Sequence, residues 1–303
     1  MFKICLSKFI STPWSERLTE IVFNALKSTN KSFIVDKIDG YPTKEYDAIF
    51  LCGIRTLTIK NLDIFKIRGL CKYIIEFGDT IDDPRDRGAD LYFFFNPSEK
   101  KIDGRKYLPK LINEEELYSE HSQRLTIYID HYKHQNLNEA EMSRKAILFV
   151  FEQIQKFKNL NVPFDFYFHS ENGIEINPSK INLPGNKSQN CKLLDYKEIT
   201  KYYRKTHLFF PTHRETQGML AQEIAMCGGL TVLQPWMYPK TSHYQFRHFL
   251  YDFENPIDVH QILKILNDKN FINDNRKHVQ KYCSSAIFNK TFIHHVINLL
   301  KSE

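Results

Sequence analysis

The chain has 303 residues, of which 42% are hydrophobic and 26% are charged, and its net charge is +6. A chain of this length and composition can bury a sizeable core and suggests about two domains, which excludes a disordered protein. Its longest apolar runs are strand-sized, well short of the roughly 18 apolar residues that a membrane-spanning helix needs. We therefore expect a cytoplasmic protein, with peripheral association with a membrane left open.

The charge is divided unevenly along the chain. Residues 1–120 hold 19 basic and 19 acidic side chains, whereas the remainder holds 23 and 17. The positive surplus in the second half suits an anionic ligand, but it is too small to require nucleic acid. An ordinary basic surface is the alternative interpretation.

Strand-like and helix-like segments alternate through the first hundred residues. Alternation of this kind predicts a parallel sheet covered by helices on both faces. The predicted strands lie at 2–9, 32–38, 46–53, 71–78 and 90–96, and the predicted helices at 13–29 and 59–70.

A polar, charged segment at 97–123 separates this module from a second one of the same kind. We place a domain boundary here, which gives an N-terminal domain at 1–120 and a C-terminal domain at 121–303. The last helix of the chain is free to pack back on the first domain. Two successive modules predict a two-domain α/β protein with a cleft between the domains.

The segment 215–229, "ETQGMLAQEIAMCGG", places the carboxylate of Glu223 among apolar neighbours in a predicted helix. Removing a carboxylate from water costs several kcal/mol, roughly, unless a hydrogen-bond donor replaces the water. Glu223 therefore has either an internal partner or a ligand that supplies the donor.

The position of this segment favours a nucleotide sugar as that ligand. Glu215 falls at the carboxyl end of the predicted strand "HLFFPT", where ligands of parallel sheets bind. Gly218 permits a tight turn into the following helix, whose first N–H groups form an anion site. Glu223 can accept two hydrogen bonds from the diol of a ribose. Sugar, diphosphate and ribose would then occupy one continuous site.

Residues 192–233 resemble the donor-binding segment of retaining glycosyltransferases of the GT-B fold, the group 1 or family 4-like enzymes. Their signature is two glutamates separated by seven residues, followed by a small-residue helix and a glycine, and Glu215, Glu223 and Gly228 match it. The resemblance is specific over about 190–235, looser over 124–303 and mainly architectural in the first 120 residues. It implies two Rossmann-like domains whose parallel sheets face each other across a cleft.

By position, the resemblance implies that Glu223 binds the ribose of the donor and that Glu215 contacts its sugar as a catalytic residue. His213 and Arg214 stand next to Glu215 and are candidates for the sugar pocket. The remaining donor-binding candidates are the backbone of Thr216, Gln217, Gly218 and Met219 for sugar and diphosphate, Lys133 for diphosphate, and the loop around Leu194 and Tyr196 for the base.

The sequence also departs from this family. The family commonly has a glycine-rich loop after its first strand, and "SKFISTPWSER" has no glycine. Many members place a histidine from the first domain beside the sugar, but no histidine precedes His121. Asp79, at a predicted strand end, is the candidate stand-in, and no general base is assigned.

The sequence offers no arrangement that predicts a metal site. His131 and His134 have no third ligand beside them, and no convincing Asp-x-Asp loop follows a strand. We therefore expect metal-independent catalysis without a cofactor, with helix N–H groups and basic side chains stabilising the diphosphate.

The expected function is transfer of a sugar, with retention, from a UDP- or GDP-linked donor to an acceptor hydroxyl. A cell-surface or lipid-linked glycan is the preferred acceptor by family analogy. A nucleic acid acceptor, as in DNA-modifying glycosyltransferases, is less favoured because the first domain is charge-balanced. A non-catalytic nucleotide-sugar-binding module and a sugar-nucleotide epimerase are the alternatives.

Overall fold

The computed structural model divides the chain into two compact units, residues 1–111 with 285–303 and residues 112–284. It describes residues 1–9, 13–29, 33–53, 62–78, 88–95, 98, 100–109, 111–131, 137–170, 196–214, 219–238, 245–255 and 257–302.

The first unit contains a six-stranded parallel sheet with the strand order β2-β1-β3-β4-β5-β6. Its strands are β1 (Phe2–Lys8), β2 (Phe33–Asp39), β3 (Tyr46–Leu51), β4 (Cys71–Gly78), β5 (Leu91–Phe94) and β6 (Arg105–Tyr107). The central strands are continuous apolar runs because helices or loops cover both faces of a parallel sheet.

Three helices accompany this sheet: α1 (Pro13–Lys27), α2 (Ile64–Arg68) and α8 (Ser285–Lys301). Leu18, Val22 and Leu26 recur at helical spacing on α1 and lie in the core beneath the sheet. Phe288 and Phe292 of α8 join the same core, and the Phe292 ring packs 5.4 Å from that of Phe93 on β5. The last helix therefore belongs to the first unit.

The second unit contains a five-stranded parallel sheet with the order β11-β10-β9-β7-β8. Its strands are β7 (Leu125–His131), β8 (Phe164–Ser170), β9 (Leu208–Pro211), β10 (Leu230–Leu233) and β11 (His248–Leu250). Its helices are α3 (Leu137–Asn159), α4 (Tyr196–Lys205), α5 (Leu220–Met226), α6 (Val259–Leu266) and α7 (Phe271–Cys283). The expected α/β class with two parallel sheets is confirmed.

The division between the units falls at residues 111 and 112, whereas the sequence analysis placed it at 120 and 121. The segment 112–120 is tied to the second unit by its backbone. The Ile112 N–H donates to Cys283 O at 3.2 Å, and the Glu120 N–H donates to Arg204 O at 2.8 Å. The Arg276 guanidinium of α7 donates to the carbonyls of Glu114, at 2.7 Å, and Leu117.

Two short strands are absent from the sequence prediction. β6 lies inside the polar segment that was assigned to the domain boundary, and β11 follows β10 in the second module. Both occupy sheet edges and have three residues each. Only their pairing with β5 and β10 defines them as strands.

No helix within the described ranges combines the length and the apolar character needed to cross a membrane.

Candidate functional site

The predicted site helix, α5, lies at the carboxyl edge of the second sheet. β9 ends at Pro211, and α5 begins at Leu220. Residues 221–226 of α5 are all buried, including Glu223, of which only 4% is exposed. The Glu223 N–H donates to Met219 O at 2.9 Å, so the helical backbone begins one residue before α5. The carboxylate is thus enclosed by protein.

Glu223 has an internal hydrogen-bond partner. The hydroxyl of Tyr196, the first residue of α4, donates to Glu223 Oε1 at 3.0 Å. A bond from a phenol to an ionised carboxylate is charge-assisted, which compensates part of the cost of burial. Burial, and after it the charge of Glu223, raises the pKa of the neighbouring Cys227 thiol. Two residues predicted separately, for ribose and for base, therefore lie in contact.

Two glycines fix the end of α5. Gly228 has φ +91°, and a Cβ there would lie 2.5 Å from Cγ2 of Ile272 on α7. A Cβ at Gly229 would lie 2.7 Å from the carbonyl oxygen of Thr206. The left-handed backbone at Gly228 and the close approaches at both positions require glycine. The glycine pair therefore allows the end of α5 to pack closely against its neighbours.

A buried polar network joins the carboxyl ends of β7 and β9. The Thr212 hydroxyl donates to Asp130 O at 3.0 Å and lies 2.6 Å from His131 Nδ1. Since this hydroxyl has one proton, the proton of the second bond belongs to His131 Nδ1. His213 Nδ1 lies 3.4 Å from the same carbonyl, and its Nε2 lies 3.7 Å from the Asp130 carboxylate.

The sequence analysis considered His131 only as a metal ligand and did not connect Asp130 or Thr212 with the site. The signal for them was present, because polar residues follow two buried strands that end at the same sheet edge. In the described ranges, no three His, Cys, Asp or Glu side chains are grouped as a metal site requires. Metal independence stays a prediction.

A cavity of about 460 Å³ opens at this edge of the sheet, beside the start of α3 and the turn after β10. Arg214 and Glu139 face each other across it, with Arg214 Nη1 at 3.5 Å from Glu139 Oε1. Trp236 and Tyr238 supply aromatic surface. The Trp236 indole N–H donates to Gln234 Oε1, and the buried Gln234 Nε2 has no partner among the described residues. The cavity offers a cation and aromatic faces.

The described residues thus include five of the sequence-predicted site positions, one of which is His213 in the buried network beside Asp130. Tyr196 and Glu223 are in contact, Met219 precedes the same helix, and Arg214 lines the cavity. The remaining predicted positions lie outside the described residues, and their roles stay predictions: Glu215, Thr216, Gln217, Gly218, Asp79, Lys133 and Leu194.

No protein-family model matches the chain, and no curated protein matches it. Solved structures do. The chain is similar to AviGT4, a glycosyltransferase involved in avilamycin A biosynthesis, with a TM-score of 0.63 and 9% identity over 100% of this chain and 99% of that one.

Two further structures match over nearly their whole length. One is a UDP-forming α,α-trehalose-phosphate synthase from Burkholderia vietnamiensis, with a TM-score of 0.61, 8% identity and coverage of 99% of this chain and 98% of that one. The other, from Listeria monocytogenes, is assigned as a UDP-N-acetylglucosamine 2-epimerase, with a TM-score of 0.60, 12% identity and coverage of 99% and 97%. At these identities the chain shares the fold of glycosyltransferase structures.

Proposed function

We propose that this protein is a glycosyltransferase that moves a sugar from a nucleotide-sugar donor to an acceptor hydroxyl with retention of anomeric configuration. The observation that carries the proposal is the Glu223 carboxylate, buried in α5 at the carboxyl edge of a parallel sheet and oriented by the Tyr196 hydroxyl. A buried carboxyl group at that edge can accept the hydrogen bonds of a ribose diol.

The cavity beside β10 supports a binding site for the rest of the donor. Its Arg214 guanidinium can pair with a phosphate or hydrogen-bond a sugar, and Trp236 and Tyr238 provide flat surfaces for a sugar ring. Arg214 is held by Glu139 at 3.5 Å, an ion pair that an anionic ligand can replace. The donor would then extend along the carboxyl ends of β9 and β10.

Catalysis in this site would rest on positioning and on electrostatic stabilisation of the departing diphosphate. Glu215 would orient the sugar, Glu223 the ribose, and Arg214 would offset the charge that develops on the leaving group. The bond from the anomeric carbon to the diphosphate oxygen breaks, and a bond to the acceptor oxygen forms on the same face. The acceptor hydroxyl gives its proton to the departing diphosphate oxygen in the same reaction.

We further propose that the nucleotide is uridine or guanosine diphosphate and that the acceptor is a cell-surface or lipid-linked glycan. The UDP-forming synthase and the UDP-sugar epimerase that share this fold favour uridine. The charge balance of residues 1–120 disfavours a nucleic acid acceptor, since such an acceptor requires clustered basic residues.

The test is incubation of the protein with a panel of UDP- and GDP-sugars, followed by measurement of free nucleotide and of sugar products. Slow hydrolysis of one donor, with release of the sugar in the donor's own anomeric configuration by NMR, supports the proposal. Conversion of a UDP-sugar into its epimer without nucleotide release would instead identify an epimerase. Binding without turnover, with every glycan acceptor added, would indicate a non-catalytic binding module.

Metal independence is tested in the same assay. We expect donor hydrolysis to survive an excess of chelator, because the proposed site stabilises the diphosphate with protein donors alone. Loss of activity with chelator and its recovery with manganese or magnesium would contradict this part of the proposal.

A further inference from the structure

A second, larger cavity lies at the opposite edge of the five-stranded sheet. Its volume is about 820 Å³, within the usual range for cavities that hold small ligands. Leu230, the first residue of β10, and His248, the first residue of β11, line it. These positions place it at the amino ends of the strands, whereas the proposed donor site lies at the carboxyl ends.

The floor of this cavity is apolar. Leu230, Phe246 and Phe271 are each at least nine-tenths buried and line it together with the partly buried Ile265 of α6. Such a surface gains free energy by covering an apolar ligand, at about 25 cal/mol per Å² of apolar area removed from water. The floor therefore selects for a ligand with an apolar body.

The rim of the cavity is cationic. Arg247 and Lys264 are both exposed there, and neither has an ion-pair partner within the described part of the chain. The single carboxylate among the lining residues, Asp268, accepts the Asn270 N–H at 3.0 Å in the turn before α7. It is thereby engaged in a local turn. The rim thus offers two permanent positive charges to an anion, against the single negative charge of Asp268.

The backbone that carries this rim is held in place. Asn275 of α7 is fully buried, and its Nδ2 donates to Gly229 O at 2.6 Å. Its Oδ1 accepts the Arg247 N–H at 3.3 Å, and His248 Nδ1 donates to Phe246 O at 3.1 Å. One buried amide therefore ties α7 to the residues that precede β10 and β11, which preforms the cavity.

We propose that this cavity binds an amphiphilic organic phosphate, with its phosphate on Arg247 and Lys264 and its apolar chain over Leu230, Phe246 and Phe271. Arginine favours phosphate because its planar guanidinium can donate two parallel hydrogen bonds. The positive surplus of the second half of the chain agrees with such a ligand. The proposal is independent of the proposed transferase activity, because the two sites occupy opposite edges of one sheet.

The test uses octyl phosphate below its micellar concentration, with octanol and inorganic phosphate as the two halves of the probe. Calorimetry on the full chain should detect binding of octyl phosphate. Octanol, which lacks the anion, and inorganic phosphate, which lacks the apolar chain, should each bind at least about tenfold more weakly. UDP at saturating concentration should leave this affinity unchanged. Equal binding of inorganic phosphate, or displacement by UDP, would overturn the proposal.

Variants locate the binding. Arg247→Gln and Lys264→Gln should each weaken octyl phosphate binding about tenfold or more, because each removes a charge-assisted bond. Lys205→Gln, at an exposed lysine of the same unit that does not line the cavity, is the matched control. The melting temperature of each of the three variants reports that the unit is folded. Unchanged octyl phosphate affinity in the two rim variants would contradict the proposed site.

Discussion

Replacement of Glu223 by glutamine separates a structural role of this carboxylate from a role in ligand binding. The substitution keeps the side-chain length and an oxygen that can accept the Tyr196 hydroxyl, whose bond to Oε1 is now 3.0 Å long. It removes the negative charge. We expect weaker binding of UDP, with a small change in the stability of the unliganded protein.

The magnitudes follow from the types of hydrogen bond involved. A bond to a charged group contributes about 1.5–3 kcal/mol, whereas a neutral bond contributes about 0.5–1.5 kcal/mol. Glu223→Gln should therefore lose about 1–1.5 kcal/mol in the Tyr196 bond, and in the unliganded protein the removal of a buried charge offsets this loss. Each bond to a ribose hydroxyl should weaken similarly, and two such bonds correspond to a loss of roughly tenfold or more in affinity.

Calorimetry with UDP and with 2′,3′-dideoxy-UDP measures the ribose contribution directly. The wild type should prefer UDP, and Glu223→Gln should lose most of that preference while its affinity for the dideoxy nucleotide stays unchanged. Tyr196→Phe is the companion variant, which should lower the melting temperature of the unliganded protein more than Glu223→Gln does. If Glu223→Gln keeps the full preference for UDP and only its unliganded stability falls, the carboxylate is structural and our reasoning fails.

Three further predictions concern stability. Gly228→Ala should lower the free energy of unfolding by about 1–3 kcal/mol in urea titrations, because Gly228 has φ +91° and a Cβ there would clash with Ile272. Gly40→Ala is the control: Gly40 has a similar φ of +87° but no atom within 4 Å of the added Cβ, so the difference between the two variants measures the clash. Arg276→Met should lower the free energy of unfolding by about 2–3 kcal/mol, because it leaves part-buried backbone carbonyls without their hydrogen-bond donor. Lys277→Met, at the neighbouring residue, is the control and should not lower it. Burial lowers the pKa of His121 to about 3. The free energy of unfolding should therefore fall by up to about 1.4 kcal/mol for each pH unit as the pH drops from 6.5 towards 3. His121→Phe should flatten melting temperature against pH in that window, and an unchanged slope would refute the assignment.

The sign of this pH dependence follows from where the proton binds. His121 stacks on His207 with ring centroids 4.2 Å apart, and burial lowers the pKa of both imidazoles. The unfolded chain therefore takes up protons near pH 6.5 that the folded protein accepts only at lower pH. The contribution of the two neutral, buried imidazoles to folding stability is therefore complete above pH 6.5 and is lost as the pH falls.

The strands that form the centres of both sheets could be predicted from sequence. They are buried on both faces, and their sequences are therefore nearly continuous apolar runs. Leu125–His131 and Leu208–Pro211 are entirely buried, and their apolar character is visible without knowledge of the fold. β6 and β11 could not be predicted, because strands of three residues at a sheet edge are defined by pairing partners far away in the chain.

Polar contacts between residues far apart in the chain could not be predicted from the sequence either. Asp130 and Thr212 are 82 residues apart, and their contact depends on β7 pairing with β9. Tyr196 and Glu223 are 27 residues apart, and the resemblance to glycosyltransferases assigned them to different parts of one ligand. The resemblance predicted a donor-binding role for each residue, but only the tertiary fold brings the hydroxyl to the carboxylate.

The contact between Tyr196 and Glu223 also changes how a buried charge in α5 is to be understood. An ionised carboxylate has about four acceptor positions, and a phenol fills one of them while fixing the side-chain orientation. An internal partner and a ligand are therefore compatible, since the first orients the group that the second binds. The apolar helix around Glu223 strengthens both bonds by excluding water. Under the proposed function, this arrangement would account for a carboxylate where an apolar residue would pack, because preorganisation lowers the cost of binding a diol, which an aliphatic side chain cannot bind at all.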